Sequence, residues 1–522
     1  VLALVPLAFA APAKAPARPT SLFGEDLGEA LAAALEGLAG EPLTLDDALA
    51  RALDSATDVR RSEAELRAAE GTLTRERGSY DPILFADFDV TREDTPSASP
   101  FAGADVLETK ARSGTAGARL RLPLGTELEA RLSSTHLETN SAFAALEPEV
   151  TARGELFLRQ PLLRGFGPAA NVEVSAADQD RNAAVARYED ARRTVVSDVV
   201  TSYWDLYAAE RDLAVQEIIV QQAQAFLDEA QRRADAGLVG PAEVATARVF
   251  LSDQQLDALD KEERLDEVSD RLVSLMGGDA PAERWHAASE PAPLRTVVPD
   301  EDQLLARALE HNAELRALRA ELDAAEARVR GARWDRLPRL DLLGSVAGNG
   351  LSGEPQPVDF NGMVLLADED GGVSEAVREA LGGDYPAWSV GLSVELPLFF
   401  REGRGERNRL EAERVRAELN VLERERELRE DVRARHRELS HGLRRLELAR
   451  GSVDASLEQV RIGLIEYENG RTTAFELVRL GADLASSQER YSDALVRTAK
   501  AAAELERLAP GPGSIPPSKE NR

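Results

Sequence analysis

Leu49-Ala50-Arg51-Ala52-Leu53 returns as Leu305-Ala306-Arg307-Ala308-Leu309. The same offset of 256 residues carries Glu65-Leu66 onto Glu321-Leu322 and Ala68-Ala69-Glu70 onto Ala324-Ala325-Glu326. Self-similarity at a fixed offset means that one structural unit is built twice. Pro82 falls on Pro338 at that offset, and further on Gln160-Pro161-Leu162 resembles Leu396-Pro397-Leu398. Each of these is followed by a glycine-containing turn and a very long helical pattern. The halves run over residues 41–276 and 300–508 of the 522, joined by a Pro/Gly/Ala-rich linker over 277–299 and followed by a Pro/Gly tail over 509–522 that is expected to be disordered.

Each half reads as helix, strands, long helix, shorter helix. The first helix is expected over Asp46–Ser79, with Thr44 as its cap and Gly78 and Pro82 ending it. The stretch 168–236 has no internal Pro or Gly, and as one helix it would be about 100 Å long, more than an ordinary globular domain needs. Val199, Leu206 and Leu213 keep a seven-residue rhythm along it, as a coiled-coil seam requires. Residues 406–469 repeat the pattern, with Leu439, Leu443, Leu446, Val453, Leu457, Val460, Leu464 and Tyr467 on the seam. Shorter helices follow over 241–276 and 474–508. Two short helices laid end to end match one long one, so each chain supplies four helical columns suited to a closed cylinder. Tyr203, Trp204 and Tyr207 are read as the core of that helical wall, not as a ligand box.

Between first and long helix the period changes to two, over 82–160 and again over 338–397. Leu84, Ala86, Phe88 and Val90 alternate with Asp87 and Asp89. Ala118, Leu120 and Leu122 alternate with Arg119 and Arg121, and Leu128, Ala130 and Leu132 with Glu127, Glu129 and Arg131. Ala152, Gly154, Leu156 and Leu158 alternate with Arg153, Glu155 and Arg159, and Val390, Leu392, Val394 and Leu396 with Ser389, Ser393 and Glu395. Apolar residues facing lipid and charged ones facing a wet lumen give the outer-membrane barrel pattern, with about nine to eleven residues per crossing. A sandwich strand also alternates, but its connections are usually short. Outward loops are expected over 91–113, 136–149 and 347–386, a short inner turn over 122–126, and an interfacial aromatic girdle from Tyr80, Phe157, Phe166, Trp388, Phe399 and Phe400.

Composition narrows the function. Lys and Arg number 63 against 93 Asp and Glu, a net charge of −30, which argues against nucleic acid as partner. The chain has no cysteine, excluding thiol chemistry, disulfides and a lipidated N-terminal Cys, and its five histidines are scattered. No nucleophile-base set, phosphate loop or metal spacing is present, and Gly403 and Gly405 are read as turn punctuation, so neither enzyme activity nor a cofactor or bound metal is expected. Val1 to Ala17 is an apolar run with small-residue sites such as Ala8-Phe9-Ala10, read as a signal-like leader over 1–20. Beyond it no apolar stretch reaches ~20 residues, so any membrane crossing is made by strands.

The doubled helix-strand-helix unit, the segment Gln160-Pro-Leu-Leu-Arg-Gly-Phe-Gly167 and the glycine-centred turns together resemble the TolC family of outer membrane efflux proteins. The resemblance covers nearly the whole chain. It implies a homotrimer set in outer membrane lipids, its β-barrel continuing into an α-helical tunnel across the periplasm. A periplasmic adaptor (membrane fusion) protein and an inner-membrane transporter are the implied partners. Pro82, Pro161, Pro338 and Pro397 would mark the helix-strand transitions. The turns after the long helices, with Gly237, Leu238, Gly240 and Pro241 in the first and Gly470 and Thr472 in the second, would form the adaptor-docking tip. In that family acids at these places, a Tyr before the second Gly and an Arg after it close the pore, which assigns Glu243, Tyr467, Arg471 and Glu476 to a periplasmic gate. Arg471 follows Gly470 by one residue rather than two, and Arg479 stands where relatives carry a second acid. Glu243 and Glu476 are equally the first-turn acids a helix dipole favours, and both readings stand together.

The first half carries about twenty residues more than the second between its transition prolines, a surplus the hairpin 116–136 accounts for. Inside the wall, the hairpin gives six strands per chain and eighteen per trimer; outside it, four and twelve. The competing reading is a periplasmic coiled-coil adaptor or envelope-spanning structural protein, which shares the long helices but does not call for two strand blocks.

Overall fold

The computed structural model describes residues 27–38, 40–98, 103–278, 285–287, 298–360, 363–469 and 471–511. The leader, most of the linker and most of the tail lie outside them. In chain order the first half is α1 (Leu27–Gly37), β1 (Glu41–Leu43), α2 (Leu45–Ser55), α3 (Thr57–Arg77), β2 (Ile83–Pro96), β3 (Val106–Arg121), β4 (Glu127–Thr139), β5 (Leu146–Pro161), α4 (Val172–Asp235) and α5 (Pro241–Met276). After β6 (Trp285–Ala287) come α6 (Glu301–His311), α7 (Ala313–Asp335), β7 (Arg339–Pro355), β8 (Val358–Phe360), β9 (Met363–Leu365), α8 (Val373–Gly382), β10 (Tyr385–Glu395), α9 (Arg401–Glu468) and α10 (Ala474–Leu508).

The expected helix over 46–79 is two helices. Thr44 caps α2, its hydroxyl accepting from the Asp47 N–H at 3.1 Å. At Ala56 the backbone turns extended, with ψ 131°. The second half breaks 256 residues later at Asn312, ψ 125°, after Asp300 has capped α6 through the Gln303 N–H. Neither Gly nor Pro marks the breaks, so the sequence pattern ran through them. Each break residue still donates its N–H back to the preceding helix, Ala56 to Ala52 at 2.8 Å and Asn312 to Ala308 at 3.0 Å, which lets the chain bend without orphaning a donor. Gly403 and Gly405 lie within α9, not in a turn. A Cβ on Gly403 would come within 3.0 Å of the Arg336 Cα, so close backbone approach accounts for that glycine.

Contacts divide the chain into two units. One takes in residues up to Ser62, Tyr188–Asn312 and Glu425 onward; the other Glu63–Arg187 and Ala313–Arg424. Helices α4 and α9 contribute to both. The core of the first unit is a seam of Val195, Val199, Tyr203, Leu206 and Leu213 from α4 against Leu265, Leu272 and Met276 from α5 and Ala48 and Ala52 from α2. Tyr203, Trp204 and Tyr207 are buried there. The Tyr203 hydroxyl donates to the Leu43 carbonyl at 2.9 Å, tying down β1, which pairs in parallel with β6.

In the second unit one six-stranded sheet runs β10-β7-β5-β4-β3-β2, every pairing antiparallel. The surplus hairpin is therefore β3 and β4, inside the sheet. Apart from β10, the strands of this sheet span 13 to 17 residues, longer than expected. Backbone pairing continues past the point where the apolar alternation stops, so the connections shrink to 97–105 and 140–145. The turn over 122–126 is closed by two backbone bonds of 2.8 Å between Leu122 and residues Gly125 and Thr126.

Candidate functional site: the two sheet faces and the helix tips

Register places opposed residues on a common face. Leu84, Ala118, Ala130, Leu156, Val346 and Trp388 fall on one side with their period-two neighbours. That side is apolar and open, with Leu84 82%, Leu156 64% and Trp388 78% exposed. A soluble monomer rarely leaves so broad an apolar surface bare.

The opposite side is a ladder of ion pairs. Arg131 and Arg153 both donate to the Glu155 carboxylate, Arg131 Nε at 2.9 Å and Arg153 at 3.1 Å, and Arg153 also reaches Asn349 at 2.9 Å. Arg159 bridges Asp341 at 2.8 Å and Glu127 at 3.0 Å, Arg119 binds Glu129 at 3.0 Å, and Arg339 binds Glu395 at 3.2 Å. Paired charges of this kind make a wettable wall, suited to passing solutes. Phe157 stands opposite Glu129 on this polar face and does not belong to the girdle. Phe166 packs edge-on against Trp334, and Tyr80 donates to the Ala170 carbonyl at 3.1 Å, so both serve the strand-helix junction. Trp388, Phe399 and Leu398 remain exposed. Pro82 directly precedes β2, Pro161 ends β5, Pro338 directly precedes β7 and Pro397 follows β10.

The long helices of the first unit end in matching turns. After α4 the Leu238 N–H donates to the Arg233 carbonyl and the Gly237 N–H to the Ala234 carbonyl, each at 2.9 Å, with Gly237 at φ 70°. This paired arrangement satisfies the helix's last carbonyls and requires the left-handed backbone glycine supplies. Leu238 is exposed, at 75%. After α9 the Arg471 N–H makes the equivalent bond to the Glu466 carbonyl at 2.8 Å. Gly470 and the side chain of Tyr467 lie outside the described residues.

Beyond each turn a new helix begins. Gly240 and Pro241 start α5, where the Glu243 N–H donates to the Gly240 carbonyl at 3.1 Å. Thr473 caps α10 by accepting from the Glu476 N–H at 3.3 Å, next to Thr472. Glu476 is ion-paired with Arg479 one turn on. A cavity of about 400 Å³ between α4, α5 and α10, lined by Phe226, Val249, Phe250 and Val478, brings the tip segments of both halves together.

Two features escaped the sequence reading. Polar groups recur inside the helical unit: the half-buried Asp212 accepts from the Ser492 hydroxyl at 2.6 Å, and the buried Gln216 donates to Gln254 at 3.0 Å. The expected loop over 347–386 contains α8, whose Ala376 and Ala380 are buried against Val150 and Ala152. Its 3.6-residue spacing of small residues was the available signal.

The profile of the family described as outer membrane efflux protein matches residues 151–278 and 304–511. Among solved structures, the chain is similar to the outer membrane protein VceC from Vibrio cholerae at 16% identity and TM-score 0.62, covering 90% of this chain and 96% of that one. It is similar to the MtrE outer membrane channel of Neisseria gonorrhoeae at 16% identity and TM-score 0.61, covering 89% and 88%. For the CmeC outer membrane channel of Campylobacter jejuni the values are 15%, 0.60, 89% and 85%. At such identities the likeness is one of fold. No curated protein matches the chain significantly.

Proposed function

Because this chain belongs to the outer membrane efflux protein (TolC) family, we propose that it is the outer membrane channel of a tripartite efflux or type I secretion system, a passive duct and not an enzyme. It resides in the outer membrane and extends into the periplasm. The observation that carries the reading is the sheet with one bare apolar face and one ion-paired face, its strands leading into helices of 64 and 68 residues. An apolar face suits lipid, an ion-paired one suits a water-filled bore, and a helix of about 100 Å suits a path across the periplasm.

Three copies complete the duct. A single chain leaves β2 and β10 as sheet edges, and joining β10 of one copy to β2 of the next is antiparallel and satisfies both. Six strands per copy give eighteen, an even number and enough to enclose an aqueous channel. The periplasmic coiled-coil reading leaves the bare apolar face unexplained.

The turns holding Gly237, Leu238, Gly240, Pro241, Gly470 and Thr472 form the periplasmic tip and dock an adaptor protein, which links the channel to an inner-membrane transporter. Glu243, Tyr467, Arg471 and Glu476 form the gate. Replacing Glu243 and Glu476 together by Ala is expected to raise leak conductance of the purified protein in planar bilayers. Unchanged conductance would count against this gate assignment. The duct itself is tested by mass: detergent-extracted protein is expected to be a trimer, and a monomer soluble without detergent would overturn the reading.

A further inference from the structure

Helix α8 lies on the membrane side of the sheet, not on the bore side. Ala376 and Ala380 pack on Val150 and Ala152, which share the apolar face with Leu156 and Val346. The helix backbone is seated directly on glycines of β7: a Cβ on Gly348 would come 2.0 Å from the Ala380 carbonyl oxygen, and one on Gly350 1.9 Å from that of Ala376. No side chain fits there, so the Gly348–Gly350 track is a seat for this helix.

Its level on the sheet is fixed by register. Gly348 lies opposite Pro386, one step beyond Trp388, which lies opposite Val346. From Trp388 to Leu396 the exposed apolar residues of the β10 segment cover about 26 Å along the chain, or about 20 Å upright at the usual tilt, close to the ~25 Å band of such barrels. Beyond that level the same face turns polar on β3 and β4, with Arg112, His136 and Glu138. Helix α8 thus sits where lipid contact ends.

The helix is divided across that boundary. Leu381, 67% exposed, reaches back to within 3.2 Å of the Cβ position of Gly154 on the apolar band. Asp368, Asp370, Glu375, Glu379 and Asp384 gather on the other side, around Leu351 and Ser352. The same segment closes the part of β7 that extends past β10. Glu379 accepts from the Leu351 N–H at 2.8 Å, the Ser352 hydroxyl donates to the Gly372 carbonyl at 2.8 Å, and the Gly371 N–H donates to the Gly353 carbonyl at 3.1 Å.

Resting on the outer-membrane channel reading, we propose that α8 is an interfacial helix that meets outer-leaflet acyl chains through Leu381, keeps its acids in water, and sets the outer edge of the lipid belt over β5 and β7. The occupant follows from continuity: Leu381 extends the lipid-facing surface of the sheet without interruption, and a helix apolar on one side and charged on the other settles at such an interface.

The chain has no cysteine, so single cysteines give clean labels. The full trimer is labelled with bimane at L381C, L392C or E369C and reconstituted in phosphatidylcholine vesicles with or without brominated acyl chains. The expected result is bromine quenching at 381 at least half as strong as at 392, with fluorescence at 369 unchanged. Quenching at 392 with none at 381 would overturn the proposal alone, whereas quenching at neither would overturn the membrane reading together with it. Adding Gly350→Val to L381C is expected to reduce quenching at 381 at least twofold, with quenching at 392 kept in the matching L392C variant. Unchanged quenching at 381 would overturn the glycine seat.

Discussion

Asp212 shows what a charge inside a helical wall costs. Burial pushes its carboxyl up to about 7; the Ser492 hydroxyl and Lys261 favour the charged form, while Glu489 and Asp493 oppose it. Lys261 is itself committed to Glu489, so compensation at Asp212 stays incomplete. With the folded value above the ordinary 3.8, the folded state holds a proton that the unfolded chain releases. The contribution of Asp212 to stability is full below about pH 4 and is lost, at up to about 1.4 kcal/mol per pH unit, until about pH 7. Asp212→Asn, which keeps an oxygen for Ser492, is therefore expected to stabilise the protein progressively from pH 5 to pH 8. Thermal melts in detergent at both pH values measure this, and equal shifts at the two would sink it. Glu210 belongs to the same class: burial raises its carboxyl, while the Ala287 N–H, at 2.8 Å, and His286 hold part of it down.

At the scale of elements, the sheet separates pairs that matter from pairs that do not. The Glu155 side chain is 8% exposed between two arginines, whereas Arg339 and Glu395 are 47% and 66% exposed. Glu155→Gln leaves two guanidiniums without their carboxylate and is expected to destabilise the sheet by about 1–3 kcal/mol. Glu395→Gln should cost under about 1 kcal/mol. Heat dissociation of the proposed trimer on gels ranks the two, and the reverse ranking would refute this view of the ladder. In a potassium chloride gradient Glu155→Gln should also shift the reversal potential toward anions. The faces carrying these pairs were legible because a strand's side-chain period is two, and Arg131, Glu155 and Arg159 stand out against Leu132, Leu156 and Leu158. The helix breaks at Ala56 and Asn312 were not, because an extended ψ at Ala or Asn leaves no compositional mark. The tip turns were readable from Gly237, whose positive φ has a chemical requirement, but the pairing of Glu476 with Arg479 was not, because i,i+3 spacing permits an ion pair without compelling one.

At the scale of the whole molecule, the hairpin of β3 and β4 decides how wide the proposed duct is in the membrane. Both strands are paired along their lengths, β3 with β2 from Val106 to Arg119 and β4 with β5 from Glu127 to Leu137, so they belong to the six-stranded sheet and are not an appendage to it. Their apolar-face residues, Ala116, Ala118 and Leu120 with Leu128, Ala130 and Leu132, continue the apolar band of their neighbours. Removing an antiparallel pair leaves β2 beside β5 with directions still opposed, so a chain lacking residues 106–139 can close as a twelve-stranded trimer. Barrel diameter grows roughly in proportion to strand number, so the full chain should enclose an outer bore about one and a half times as wide. With Glu243→Ala and Glu476→Ala, the substitutions expected to open the proposed periplasmic gate, in both backgrounds, the shortened trimer is expected to show lower single-channel conductance and to exclude polymers that still enter the full-length pore. Equal conductance and equal polymer cut-off from two properly assembled trimers would mean that the helical tunnel, not the barrel, is the narrowest passage, and that the extra strands widen a section that was never limiting.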